Sequence, residues 1–208
     1  MKLQFGELKI TPQVVERLHD LDFTIPELEV AIREHKSDCD GNPSVYCGTY
    51  AKYNDGSLQG LWIDLSTFDD FEEFENFCNA IHADEEDPEL MMQDYECFPE
   101  DFYSESCFCE DEFDGIKTYS ELCEKHGKEA VDDFLEFFET EKLQDFTDYY
   151  CGQWDDEEDF ARHIVDEGDY LRGCDFLAEY FDYDAFGDAL FRDDYHMGSN
   201  GHVFYQCI

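Results

Sequence analysis

The sequence predicts an α+β protein: an elongated chain of small α/β and helical modules with short antiparallel sheets, preceded by a small helical extension. Three observations carry that expectation. Short blocks with helical or strand-like periodicity alternate, separated by Gly, Pro, Asn and Asp. Aromatic residues (20 Phe, 13 Tyr and 2 Trp) are shared among these blocks, so each holds the material for its own small core. The 55 Asp and Glu stand against 13 Lys and Arg, a net charge of -42 over 208 residues. Spread at the linear charge density of a nucleic-acid duplex, that charge favours small modules in series over one sphere.

Taken in order, residues 1–44 read as two short helices. Thr11-Pro12 offers an N-cap with proline at the first helical position, and Val14, Leu18 and Leu21 follow at helical spacing. Pro26 opens the second helix, with Leu28, Ala31 and Ile32 on one side. Asp38-Cys39-Asp40-Gly41-Asn42-Pro43 is a turn-rich linker, and it lacks the twelfth-position Glu of a calcium loop. Residues 45–53 and 58–65 read as a hairpin around Asn54-Asp55-Gly56, opened by the β-branched and aromatic Val45-Tyr46-Cys47-Gly48-Thr49-Tyr50. A helix capped by Thr67, with Asp70 three residues on, then places Phe71, Phe74, Cys78 and Ile81 on one face beside Phe77.

Asp84-Glu85-Glu86-Asp87-Pro88 ends that helix. Residues 89–116 carry no clear period, and short helical turns are expected around Met91-Met92. Helices follow near 119–126 and 128–139, separated by Gly127, the second buried through Val131, Phe134, Leu135 and Phe138. Residues 149–154 read as a strand and 155–166 as a helix buried through Phe160, His163 and Ile164. A last helix, about 182–194, turns Ala185, Phe186, Ala189 and Leu190 inward, and Gly198-Ser199-Asn200-Gly201 leads to a closing strand over 202–207. The domain division read from this pattern is 1–44, 45–105, 106–147 and 148–208.

Reactive chemistry is sparse. Ten cysteines (39, 47, 78, 97, 107, 109, 123, 151, 174 and 207) contain no C-x-x-C pair, and their share is too small for a disulfide scaffold. They are expected to be reduced, mostly buried thiols. His196 and His202 flank a turn and are expected to be ordinary surface or core histidines rather than metal ligands. No phosphate loop, dinucleotide fingerprint or nucleophile elbow is present. With 55 carboxylates, close acidic pairs arise by chance and cannot argue for catalysis. No cofactor or metal is expected, nor any enzymatic activity. The segments lack a bilayer-spanning apolar run and a signal-peptide core, and a cytoplasmic location is expected.

Charge points instead to a partner. Residues 1–44 hold 9 acids and 5 bases, whereas residues 45–208 hold 46 acids and 8 bases. Between Tyr53 and Ile116 there are 21 acids and no Lys or Arg. Such a surface disfavours nucleic acid and anionic membrane as ligands and favours a large basic surface, which in cells belongs to DNA-binding proteins. Duplex DNA carries one charge per ~1.7 Å of axis, so 42 charges at that density extend over roughly 70 Å, against a radius of gyration near ~17 Å for a compact chain of this length. The reading is a DNA mimic. Its acidic surface is expected at Asp69, Asp70, Glu72, Glu73 and Glu75; at Asp84, Glu85, Glu86, Asp87 and Glu89; at Asp94, Glu96, Glu100 and Asp101; at Glu110, Asp111 and Glu112; and at Asp155, Asp156, Glu157 and Glu158. The alternative is an acidic regulatory module that binds another basic protein, such as a nucleoid protein or repressor.

Residues 45–208 resemble the ArdA family of antirestriction proteins. The resemblance runs through Val45-Tyr46-Cys47-Gly48-Thr49-Tyr50, Gly60-Leu61-Trp62-Ile63-Asp64-Leu65, Thr67-Phe68-Asp69-Asp70, Asp87-Pro88-Glu89-Leu90-Met91 and Gln93-Asp94-Tyr95-Glu96. Tyr180, Phe181, Asp182, Tyr183, Asp184 and Phe186, with Leu190 and Phe191, look like the family's antirestriction motif. The resemblance implies a homodimeric DNA mimic, carried by plasmids or conjugative transposons. It would occupy the DNA-binding groove of a type I restriction-modification enzyme and so protect incoming DNA. It further implies that the motif lies at or near the dimer interface, with Phe181, Tyr183 and Phe186 packing there. Residues 1–44 fall outside the family pattern, and their weak charge argues against an extension of the mimic.

Overall fold

The computed structural model describes residues 1–4, 6–38 and 41–206, and the chain divides into two compact units, Met1–Ser120 and Glu121–Ile208. The architecture is α+β, with short antiparallel sheets in each unit. Among the described residues no helix is long and apolar enough to cross a membrane.

Unit 1 begins with a two-residue pair, β1 (Lys2–Leu3) and β2 (Gly6–Glu7). Helix α1 (Pro12–Asp20) starts where the Thr11 hydroxyl accepts from Val14 N, and it buries Val14 and Leu18. Helix α2 (Ile25–His35) starts with a complete Thr24/Glu27 capping box and buries Leu28, Ala31 and Ile32. Both helices stand where the caps and spacing placed them. The segment is also tied into the unit by long-range bonds. Gln4 N donates to Gly60 O, Ser37 N to Trp62 O, and the Arg17 guanidinium to Ala83 O.

Strand β3 (Ser44–Thr49) is buried along its whole length because it is central, with a partner on each side. The expected hairpin is interrupted. Thr49 turns its hydroxyl to Lys52 N and caps a short helix, α3 (Tyr50–Asn54), before the chain returns as β4 (Leu61–Asp64). A local cap outweighs the strand preference of Tyr50 and Tyr53. At the return, a Cβ on Gly60 would lie 2.4 Å from Cys47 O, so only glycine fits. Helix α4 (Phe71–Ile81) is capped by Asp70 rather than Thr67, whose hydroxyl instead closes a 3-10 turn by donating to Asp64 O. Phe74, Phe77, Cys78 and Ile81 are buried as the periodicity requires.

The segment around Met91-Met92 is a strand, not helical turns. β5 (Leu90–Glu96) pairs antiparallel with β3 and completes the order β4-β3-β5, with a bulge opposite Tyr46/Cys47. Met, Leu, Gln and Glu favour helices locally, but the free edge of β3 offers a full ladder of backbone partners. Helix α5 (Glu110–His126) begins well before the expected residue 119, with Glu110, Asp111 and Glu112 at its positive end.

Gly127, at φ 89, separates α5 from α6 (Lys128–Leu135) in unit 2. α6 ends earlier than expected, and α7 (Phe146–Tyr149) takes up the first residue of the predicted strand. Strand β6 (Tyr150–Gln153), helices α8 (Glu157–Glu167) and α9 (Tyr183–Asp193), and strands β7 (Tyr195–Met197) and β8 (His202–Tyr205) complete the unit in sheet order β6-β8-β7. The far end of the predicted closing strand, Cys207, lies outside the described residues. The core is aromatic: Phe134 lies 5.2 Å from Phe146 and 5.5 Å from Phe204. α9 turns Tyr183 and Gly187 inward, while Ala185 and Ala189 are exposed, contrary to the periodicity reading. Gly187 decides this. A Cβ there would be 2.9 Å from Glu157 O, so the helices meet at the glycine.

Candidate functional site

The candidate surface is built from helix starts and the loops between them, where carboxylates serve the local fold before any partner. On and before α4, Asp70 accepts from Glu73 N, and Glu73 reaches back to accept from Asp69 N. Glu72 and Glu75 are exposed on the same helix. At α5, Glu112 accepts from both the backbone N–H and the thiol of Cys109, while Glu110 and Asp111 are exposed. At α8, Asp156 caps by accepting from Asp159 N, Asp155 is exposed, and Glu158 pairs with Arg162. Glu157 is half-buried, and its carboxyl is pushed up by burial first and then by Asp188, Asp184 and Asp156.

Between α4 and α5, Glu86, Asp87, Glu89, Asp94, Glu100 and Asp101 are exposed and Glu96 is half-buried. Of the 21 predicted carboxylates none is buried, and Glu85, Glu96, Glu112, Glu157 and Glu158 are the half-buried ones. They fall in two groups: residues up to Glu112 belong to unit 1 and residues 155–158 to unit 2.

The few cations of this region are largely engaged in structural work. Lys52 is nearly buried, and its ammonium bonds His82 Nδ1 at 2.8 Å, Asp84 Oδ1 at 2.8 Å and Glu85 Oε1 at 3.1 Å. Glu85 also accepts from Thr49 Oγ1 at 2.6 Å. The donor atoms of His82, Asp84 and Glu85 lie close enough to hold a metal ion, but Lys52 occupies their common focus. Because Lys52 donates to Nδ1, His82 carries its proton on Nε2, which faces Cys47 O at 3.4 Å. Lys117 closes the turn before α4 by donating to Phe68 O and Asp69 O. Cys47 and Cys78 form a buried thiol pair in which burial pushes Cys78 well up. The expectation that cysteines are mostly buried fails elsewhere: Cys97, Cys107, Cys109 and Cys174 are exposed, and Cys123 and Cys151 half-buried. Around Cys97, Cys107 and Cys109 the core positions are taken by Phe98, Phe102 and Phe113, which leaves these thiols on the acidic outer side. Cys39 and Cys207 lie outside the described residues, as does Asp40 of the linker.

In unit 2 the motif residues separate. Tyr183 is buried with the Arg162 guanidinium 4.2 Å from its ring centroid, and Phe191 packs 5.5 Å from Phe160. Phe181, Phe186 and Leu190 are half-buried, with Phe181 5.6 Å from Phe186. Asp182 caps α9 by accepting from Ala185 N, and Asp184 is exposed. Tyr180 is 80% exposed. His196 stacks on Phe137 at 4.5 Å, and His202 Nδ1 pairs with the Tyr150 hydroxyl at 3.0 Å.

One carboxylate escaped the sequence reading. Asp133 on α6 is fully buried and accepts from Asn200 N, Asn200 Nδ2 and His202 N. It fastens the turn between β7 and β8, where a Cβ on Gly198 would meet the Asp133 side chain at 2.3 Å. The available signal was position: Asp133 shares the helix face of Ala130 and Phe134, both buried.

The family model described as antirestriction protein (ArdA) matches residues 45–204. No curated protein matches the chain. The matched span takes in β3 to β8, so it includes both acidic groups and the whole of α9. The chain therefore belongs to the ArdA family of antirestriction proteins.

Proposed function

We propose that the protein is a non-enzymatic DNA mimic that occupies the DNA-binding groove of a type I restriction-modification enzyme and so protects incoming mobile DNA. One observation carries the reading beyond family membership: 21 carboxylates on helix starts and loops are exposed or half-buried while neighbouring cations are drawn into local bonds. A groove built for phosphates would meet closely spaced negative charge with few competing cations. The modules 45–105, 106–147 and 148–208 belong to this proposal, as does a cytoplasmic site of action.

The test is competition with duplex DNA for a type I methyltransferase at several salt concentrations. Competition should weaken steeply as salt rises, because many charge contacts form together. Its absence at low salt sinks the reading. Replacing Asp69, Asp70, Glu72, Glu73 or Glu75 singly by Asn or Gln should change inhibition less than about threefold, and replacing all five should reduce it by more than about a hundredfold. If instead the protein captures a nucleoid protein or repressor and ignores the methyltransferase, the acidic regulatory reading replaces this one.

We also propose that the protein acts as a homodimer through the region of its motif. Tyr170, Phe176, Leu177 and Tyr180 are 68%, 71%, 41% and 80% exposed within one short stretch of unit 2. Large apolar side chains concentrated this way are characteristic of association surfaces. Phe176→Asp or Tyr180→Asp should halve the mass measured by light scattering. An unchanged mass for both variants removes this stretch as the interface.

A further inference from the structure

The acidic region of unit 1 contains a feature that uniform charge mimicry does not require. A cavity of about 390 Å³ opens between the N-terminal part of α4, the start of β5 and the loop before α5. Phe71, Phe74 and Phe108 form its aromatic wall, with ring centroids 5.7 Å (Phe74–Phe108) to 6.5 Å (Phe71–Phe108) apart. Met92 and Leu90 continue the apolar lining. Phe71 and Phe108 are only half-buried, so their faces are available to an occupant. Around these rings stand four exposed carboxylates, Glu75, Asp87, Glu89 and Glu105. No Lys or Arg lines the cavity, and none occurs between Tyr53 and Ile116.

This combination selects an occupant. Four carboxylates repel anions and make burial of a neutral apolar side chain unfavourable. A bare metal ion gains nothing from phenyl rings and would keep its water. An ammonium suits the carboxylates, but it is compact and strongly hydrated. A guanidinium is planar and more weakly hydrated, stacks on aromatic faces, and still forks onto carboxylates. The volume falls in the range of cavities that enclose a ligand group.

We propose that this cavity is a pocket for one arginine side chain of the basic partner. The identity of that partner rests on the DNA-mimic reading; the preference of the pocket for a guanidinium does not. The pocket would serve as a fixed anchor within an otherwise distributed electrostatic contact, as buried arginines do at the centre of many protein interfaces.

The test uses the full chain and N-acetyl-arginine amide as probe, at low salt, followed by the NMR signals of the phenylalanine rings and methionine methyls. Saturable shifts at Phe71, Phe108 and Met92 are expected, with the lysine analogue binding at least fivefold more weakly and the norleucine analogue leaving those signals unmoved. Phe108→Ala and the double variant Glu75→Gln/Glu89→Gln should each weaken the arginine probe at least fivefold. Glu16→Gln/Glu34→Gln removes the same charge from α1 and α2 and should leave the binding unchanged. Shifts that spread over the acidic surface without saturating, or undiminished binding by Phe108→Ala with its other NMR signals in place, overturn the pocket. In competition with DNA for the methyltransferase, Phe108→Ala should be about tenfold weaker than the unaltered protein. Unaltered competition by Phe108→Ala removes the pocket and leaves the mimic standing. Failure of the unaltered protein to compete removes the mimic, whatever the probe does.

Discussion

Asp133 shows how an acid can be indispensable here without facing a partner. Its fully buried carboxylate takes the backbone N–H groups of Asn200 and His202 and the Asn200 amide. Removing it strands the buried His202 N–H, at about 1–3 kcal/mol for a group left unpaired, and frees the partly exposed Asn200 donors that hold the turn. Asp133→Ala should therefore lower the stability of unit 2 by roughly 3 kcal/mol in denaturant unfolding, while Glu129→Ala, exposed on the same helix, should change it by less than about 0.5 kcal/mol. Lys52 is the cationic counterpart. Lys52→Met leaves Asp84 and Glu85 facing each other without their ammonium and should cost about 2–3 kcal/mol in unit 1. A loss below about 0.5 kcal/mol would show that the three bonds contribute nothing net. Position on α6 marks Asp133 as inward-facing, but the partners of neither residue could be read from the sequence. Asp133 is one acid among 55, and Lys52 is an ordinary lysine in a predicted strand.

At the scale of elements, helix starts were the most legible features. Thr11 caps as expected, and Thr24 supplies a cap just ahead of the predicted Pro26 start, because a cap is a bond between groups three residues apart. Where two caps competed, Asp70 took the role assigned to Thr67, and Asp70→Ala should cost about 1 kcal/mol in thermal unfolding, with Asp70→Asn nearly neutral. The packing of α8 against α9 sets a pH dependence. Burial and the acids of α9 hold Glu157 above the ordinary carboxyl range, so the folded state keeps that proton more tightly than the unfolded chain does. Stability from this group therefore grows as pH falls through its folded value and is lost as pH rises. Melting temperature should rise between pH 7 and pH 5. Glu157→Gln should flatten part of that rise and melt roughly 2 °C higher at pH 7, since solvent screening keeps the effect near ~0.5 kcal/mol. A steeper rise in the variant contradicts the assignment.

At the scale of the whole molecule, the net charge of -42 sets stability and binding in opposition. Raising salt from about 0.01 M to about 1 M shrinks the screening length from ~30 Å to ~3 Å. Repulsion among the carboxylates then falls, and melting temperature should rise, while competition with DNA for a basic groove should collapse over the same range. Calorimetry and competition run in matched buffers would show the two trends together. Melting that falls with added salt would mean that the exposed acids are held by attractive pairs, contrary to the exposure of Glu72, Glu75, Glu86 and Asp87.

By itself the sequence determined what is local or global: the capped helices, the aromatic cores, the dominance of negative charge and membership of an antirestriction family, confirmed over residues 45–204. Tertiary structure alone decided what depends on distant partners. Met91-Met92 became a strand because the edge of β3 was open. α9 turned its glycine inward because α8 stood there. Asp133 met its partners 67 and 69 residues away. Caps and periodicity act within a few residues, so they can be read from order alone. The burial of a polar group, or the pairing of an ambivalent segment, is settled only by what the fold brings alongside it.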